Sequence, residues 1–480
     1  MKVFLLTFYF FFVESGFPRV SWEFAMKQNN FFFKSKGGIM VKMIKSLTSL
    51  LFVLFFINTV NAASLKGVQL RVGSIGDALP ALGTQHERLD PAFIKDTGVD
   101  LQTDFPPFTD YVAKVTTMCQ AGSDLYDVMW LDGPWYGLFV SQGCLEDLGD
   151  YIKNKSGSEM ALDDYPLRSL AVLGTYEGKF YVIPQFAAVG MLAYRKDLFE
   201  DANEKKAFKS KYGYDLKVPE TWEEYMDVGT FFTRPDQGLW GFNHRYGNPS
   251  SLMGDLLIGF AFSRGATLFD EYWNPTLNTP EMKDALGFFT GKKFLEAQPP
   301  GREGYFTDDV MLNAMQGKVA MYITENWAIS NLMDPNRSPM AKNLGWALIP
   351  GWKDPSTGII HRGTMAGAGG WAINANSKNK DAAWAYIQYM QGKSNAKILA
   401  DEQEWCYRIS HCNGKRYSKL HPYFPINLGQ MEIMVPRPSE PWWPEAEFAF
   451  ASNVGKYMAG KVSIDEALAT AQKKAEGIVK

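Results

Sequence analysis

The feature of this sequence that most limits its folding is an alternation of short apolar runs with longer segments of helical spacing. Residues 68–72 (Val-Gln-Leu-Arg-Val) alternate apolar and polar side chains with the period of a half-buried strand. Residues 91–98 read as a helix closed by Gly98, 99–103 as a second strand, 111–121 as a second helix and 127–131 as a third, more apolar strand. Strands separated by helices pair mostly in parallel, because each helix serves as the crossover that a parallel partner needs, and the helices then cover both faces of the sheet. An α/β fold is therefore predicted. Open sheets of this kind take ligands in the crevice beyond the carboxyl ends of their strands. The loop Asp132-Gly133-Pro134-Trp135 follows the third strand directly, which makes Asp132 and Trp135 the first candidate ligand groups.

Two apolar stretches precede this region, residues 3–13 and 47–57, each 11 residues long. A bilayer-spanning helix needs roughly 20. The second stretch follows Lys42 and Lys45 and leads into Thr59-Val60-Asn61-Ala62-Ala63, the charged, apolar and small-residue order of a secretory signal peptide cleaved after Ala62. Residues 1–62 are thus expected to be a signal peptide behind an over-long N-terminal extension, with Met40 or Met43 as the natural start, and the periplasm is the expected destination. An uncleaved anchor is the competing reading. The remaining chain carries 42 basic against 50 acidic groups, a balance unsuited to binding a phosphate backbone, so no nucleic-acid partner is expected. With 46% apolar and 21% charged residues, the composition also excludes a multi-span carrier.

All four cysteines, Cys119, Cys144, Cys406 and Cys412, lie in the exported part. An oxidising compartment favours disulfides there. Of the three possible connectivities, Cys119 with Cys144 and Cys406 with Cys412 are preferred because each closes a local loop. The rival is a zinc site formed by Cys406, His411, Cys412 and His421, whose spacing matches no standard finger. His86, His244 and His361 are scattered. Neither a metal nor a cofactor is expected.

Further along, Gly178-Lys179-Phe180-Tyr181-Val182-Ile183-Pro184 and residues 189–194 read as strands, and Thr221 caps a helix whose Glu223 and Glu224 complement its dipole, with Trp222 in the core. A helix at 311–315 ends at Gly317, a strand follows at 319–323, and Glu325-Asn326-Trp327 forms the next loop. Helices recur at 382–391 and 464–478, and the proline-dense loop 436–444 carries Trp442 and Trp443. These blocks, together with Asp127-Val128-Met129-Trp130-Leu131-Asp132, Tyr194-Arg195-Lys196-Asp197-Leu198-Phe199, Met315-Gln316-Gly317-Lys318-Val319-Ala320-Met321 and Gly370-Trp371-Ala372-Ile373-Asn374, occur in an order and at spacings that give the chain its resemblance. It resembles the family 1 extracellular solute-binding proteins of carbohydrate-uptake ABC transporters, the group that includes the maltose binders.

The resemblance implies a two-lobed periplasmic-binding-protein fold, each lobe a mostly parallel sheet flanked by helices, hinged around a central cleft. Residues 63–187 with 371–418 would form one lobe and 188–370 with 419–480 the other, with crossings near 187–189, 369–371 and 419–423. Gly363, Gly367, Gly369 and Gly370 suit crossings, turns or close packing. It also implies a monomer that captures a small carbohydrate or polyol and delivers it to inner-membrane ABC permease subunits without breaking a bond. Such a guest asks for planar aromatics beside carboxylates and amides. Trp327 aligns with an aromatic that stacks on sugar in the maltose binders, Trp442 or Trp443 with a second, and Asp132 with a carboxylate that accepts from hydroxyls. Asp132 could equally serve an Asx-turn before Gly133. Glu325, Asn326, Trp130 and Tyr246 complete the hydroxyl and aromatic candidates. Trp371 replaces a small residue and would narrow the cleft, while Ala188 stands where the maltose binders have a carboxylate. Arg408 and Arg362 keep an alternative open, a glycerol-phosphate or organic-acid solute on the same fold. A secreted glycoside hydrolase is the other alternative, since paired carboxyls and aromatics mark those enzymes too.

Overall fold

A computed structural model describes residues 65–76, 80–244, 258–402 and 405–479; the expected signal segment and Tyr246 lie outside the described residues. Ten strands build two sheets: β1 Gln69–Gly73, β2 Asp100–Asp104, β3 Val128–Asp132, β4 Ile183–Ala188, β5 Gly190–Arg195, β6 Trp240–Asn243, β7 Val319–Glu325, β8 Leu344–Ala347, β9 Thr364–Ile373 and β10 Met434–Pro436. The first sheet runs β10-β9-β3-β1-β2, with β4 also paired to β9. Here β1 is parallel to β2 and β3, and β9 is parallel to β10 but antiparallel to β3 and β4. The second runs β8-β5-β7-β6, with β6 parallel to β7 and the other two pairs antiparallel. Both sheets are thus mixed: β1, β2 and β3 pair in parallel as expected, but in the second sheet only β6 and β7 do. Strands β9 and β5 run antiparallel to partners from which helices separate them in the chain, so the mostly parallel sheet expected for each lobe is corrected there.

Strand character follows burial. In β1, Leu70 and Val72 are fully buried while Gln69 and Arg71 are not. In β3, flanked by β1 and β9, Val128, Met129 and Leu131 are all sealed from solvent, as expected of a strand covered on both faces. The chain leaves the first sheet at Ala188 and enters the second at Gly190. That junction is pinned on several sides: Gly190 N donates to Thr364 Oγ1 at 2.7 Å, Asn326 N donates to Val189 O at 3.0 Å, and Gln430 Nε2 donates to Gly190 O.

One predicted helix is longer than its sequence signals. The sequence signals at 91–98 predict a helix starting at Pro91, but the helix runs Pro80–Thr97 with Pro91 inside it. Gln85, His86, Leu89 and Phe93 of this helix are buried, and that packing outweighs the hydrogen bond the proline cannot make. The cap at Thr221 forms a full capping box: Glu224 N donates to Thr221 Oγ1 at 3.2 Å and Thr221 N donates to Glu224 Oε2 at 3.4 Å, opening helix Trp222–Phe232. Trp222 is buried among Tyr225, Phe260, Phe288 and Phe289. Gly367, Gly369 and Gly370 lie within β9, and none of the four glycines at 363–370 has a positive φ, so close packing rather than turning explains them. A Cβ on Gly369 would stand 1.8 Å from the Trp130 ring.

Cys119 is joined to Cys144 and Cys406 to Cys412, with Cα atoms 5.2 and 5.3 Å apart. With those two sulfurs bonded to each other, the zinc alternative at 406–421 has no thiolate left. Among the described residues no helix is long and apolar enough to cross a membrane.

Candidate functional site

Three strands end at one place. Asp132 closes β3, Glu325 closes β7, and Arg437 directly follows β10. Asp132 accepts from Gly133 N at 2.9 Å, so it does cap the short turn Gly133–Trp135, but that is not its whole role. Arg437 Nη2 donates to Asp132 Oδ1 at 2.7 Å and to Oδ2 at 2.8 Å, with the two side chains only 16% and 15% exposed. The screening that makes surface pairs weak is largely absent at that burial. Burial opposes the Arg437 charge, yet Asp132, Glu447 and Glu325 together hold its pKa above the ordinary range. Burial likewise pushes the Glu447 carboxyl up, with Asp132 adding to the effect and Arg437 opposing it. The guanidinium is therefore the hub of a cluster of three carboxyls, and its Nε–H is buried with no partner among the described residues.

Beside this cluster stand two half-buried indoles. Trp327 Nε1 donates to Glu325 Oε2 at 2.7 Å, which fixes the ring next to the carboxylate. A Cβ on Gly367 would come within 2.9 Å of Glu325 Oε1, so the missing side chain in β9 is what lets that carboxylate lie against the strand. Trp135 packs edge-on against Trp130 at 6.3 Å and tilted against the partly exposed Phe108 at 5.5 Å. Such a set offers carboxylate acceptors, a guanidinium donor and flat apolar faces within one region.

The structure thus brings together Asp132, Glu325, Trp327, Trp135 and, behind it, Trp130. Trp130 itself is 3% exposed; its Nε1 donates to Gln185 Oε1 at 3.0 Å and its ring stacks on Phe186, so it supports Trp135 rather than facing a guest. The other expectations are corrected. Trp371, expected to narrow the cleft, is fully buried with its ring against His86 and Tyr386. Trp443 is buried, whereas the half-buried Trp442 packs on Phe269 and Trp273 at 4.9 and 5.5 Å, two rings that line a cavity with Arg437. Asn326 has no group to spare: its Nδ2 donates to Ala187 O and Asn427 Oδ1, and its Oδ1 accepts from Val189 N. Arg408 is fully buried and donates to the carbonyls of Met160, Ala161 and Gln391, while Arg362 donates to those of Ile349 and Glu220. Both arginines thus direct their bonded donors at main chain, with the buried Arg408 Nε left without a partner among the described residues.

Arg437 and Glu447 were missed. The signal was available, since Arg437 is the one basic residue in the proline-dense loop already singled out for its tryptophans. Arg437 also lines a cavity of about 660 Å³ together with Tyr176, Phe262, Phe269, Trp273 and Glu440.

Residues 73–397 match the sequence model described as bacterial extracellular solute-binding protein. The mannitol-binding protein of Pseudomonas aeruginosa is 27% identical over 386 residues, covering 75% of this chain and 81% of that protein. In three dimensions the chain is similar to a solute-binding protein of Agrobacterium radiobacter K84 solved in complex with ribitol, at TM-score 0.73 and 28% identity, covering 86% of this chain and 99% of that one. It is also similar to one of Agrobacterium vitis S4 with bound D-mannitol, at TM-score 0.68 and 25% identity, covering 85% and 97%.

Proposed function

We propose, from the premise that this chain belongs to the family of bacterial extracellular solute-binding proteins, that it captures a sugar or polyol outside the inner membrane and delivers it to an ABC permease. The carrying observation is the Asp132–Arg437 pair beside Glu325 and Trp327, at the joint carboxyl ends of strands from both sheets. A hydroxyl both donates and accepts, so carboxylates and a guanidinium held together can satisfy it in both senses, and the indoles cover the C–H faces. Three carboxyls around one arginine disfavour an anionic guest, and Arg408 and Arg362 are committed to carbonyls, which weighs against the glycerol-phosphate and organic-acid alternative. Three of the similar proteins are described with mannitol, erythritol/L-threitol or ribitol, which supports a small polyol.

In this reading residues 63–187 with 371–418 and residues 188–370 with 419–480 act as two jaws. A guest touching both binds the closed arrangement better than the open one, and only that difference moves the population. A swing from 1:99 to 99:1 needs about 5.5 kcal/mol of differential affinity. The protein works as a monomer in the periplasm after a signal peptide is cleaved at Ala62, and releases its guest unaltered. Calorimetric titration of the exported protein with ribitol, D-mannitol, erythritol, maltose and glycerol phosphate tests this. Saturable binding of a neutral polyol or sugar, recovered intact and little affected by salt, is expected; failure of every neutral member to bind, or turnover of a glycoside, would sink the proposal.

A further inference from the structure

A second group of polar atoms lies on the same strand edge, outside the cluster just described. Beyond the carboxyl ends of β1 and β2 is a cavity of about 210 Å³ lined by Ile75, Gly76, Gly83, His86, Phe105 and Pro107. It adjoins the Asp132 region through the chain, because Pro107 leads into Phe108, whose ring packs on Trp135. His86 is 4% exposed, and its Nδ1 lies 3.1 Å from Asp90 Oδ2 and 3.0 Å from the Tyr386 hydroxyl. Tyr386 has one proton and gives it to Asp90 Oδ1 at 2.8 Å. Nδ1 therefore carries the ring's proton toward Asp90, since two lone pairs would otherwise face each other there. In the neutral ring this leaves a lone pair on Nε2, an atom that is buried and has no partner among the described residues.

Two more unpartnered buried atoms belong to the same sheet and the segment that follows β1. Trp371 Nε1 belongs to the ring that meets His86 edge-on at 5.5 Å. Ser74 Oγ sits one residue past the Gly73–Met129 pairing, level with Trp130, and Trp130 is the register partner of Trp371. A buried polar atom left without a hydrogen bond is costly, and a guest that supplies the partner recovers that cost. Of these atoms the His86 nitrogen belongs to a residue that lines the cavity, and an imidazole held in a single tautomer there marks a place for a hydrogen-bonding guest.

We propose that this cavity is a subsite for the terminal hydroxyl of a polyol or sugar, which donates to His86 Nε2, with Asp90 and Tyr386 as positioning residues that fix the ring. The inference rests on the sugar or polyol reading above and adds where one end of the guest is held.

The test pairs a change in the protein with a change in the ligand. D-Mannitol has two equivalent ends, so the matching probe is 1,6-dideoxy-D-mannitol, which lacks both terminal hydroxyls; ribitol and its dideoxy analogue serve equally. By calorimetry, His86→Phe should weaken mannitol binding about tenfold or more, the wild type should lose a similar factor on the dideoxy probe, and H86F should scarcely distinguish the two. H86Q, which restores an acceptor, should recover part of the loss. If the variants fail to fold, ¹⁵N spectra of the wild-type imidazoles decide: the His86 Nε2 resonance should shift on adding mannitol. Wild-type binding with unchanged H86F affinity, or with an unmoved His86 resonance, overturns the subsite alone. A wild type that binds no neutral polyol or sugar overturns the proposed function as well.

Discussion

Two arginines of one chain show how little a residue's type says about its work. Arg437 and Arg408 are both largely buried, but Arg437 faces a carboxylate beside two half-exposed indoles, whereas Arg408 holds three main-chain carbonyls and lies over the Tyr165 ring at 4.5 Å. R437M should therefore weaken polyol binding by about 1.5–3 kcal/mol, the usual worth of a hydrogen bond to a charged group, while the melting temperature changes less. A titration in which R437M binds normally would remove it from the site. His411 makes a separate, pH-dependent contribution. Burial, with the neighbouring Arg408 charge, pushes its pKa down to about 4 from 6.5. Between those two values the unfolded chain takes up a proton that the folded chain refuses, so stability present above pH 6.5 is lost as pH falls toward 4. The loss is on the order of 3 kcal/mol. Denaturant melts across that range should steepen for the wild type and flatten for H411Q; equal slopes would refute the assignment. Asp132, Trp327 and Glu325 were legible at this scale because motif and neighbours coincide at strand ends. Arg437 was not, because its partner lies 305 positions away.

Among the elements, β9 decides the most. It carries three glycines in a row of four, Gly367, Gly369 and Gly370, and joins β3, β4 and β10 into one sheet. The glycines were recognisable as special, but sequence left crossings, turns and close packing equally open. Packing is the answer, since the Trp130 indole lies against Gly369 and the Glu325 carboxylate against Gly367. G369A should cost about 1–3 kcal/mol by overpacking and displace Trp130 from Gln185. Unfolding titrations combined with Trp fluorescence check this, and an unchanged midpoint would show that the sheet yields there. Helix ends read well where caps are local, as at Thr221 and for helix Ile464–Ile478. The helix Pro80–Thr97 read poorly, because a proline is a strong local stop signal and the packing that overrides it comes from distant segments.

For the whole molecule, the cluster at Arg437 draws on β3 of the first sheet, β7 of the second and the segment after β10, so a guest held there ties both sheets together. Small-angle scattering should then show a smaller radius of gyration with saturating polyol than without, and R437M should reduce that contraction at matched ligand concentration. Identical scattering profiles with and without bound polyol would defeat the two-jaw reading while leaving binding intact. The ligand should also raise the melting temperature, by an amount corresponding to about 2.7 kcal/mol at a hundredfold excess over Kd.

The linear order of residues was sufficient for the α/β alternation, the family blocks, the Thr221 cap and the abundance of indoles, because each depends on neighbours within a few turns or on composition. Which indoles meet solvent, which arginine meets a carboxylate and which histidine keeps a bare nitrogen were decided only by the fold. Exposure and pairing are set by segments hundreds of positions apart, as with Arg437 and Asp132 or Tyr386 and His86, and no local periodicity records where those segments will meet.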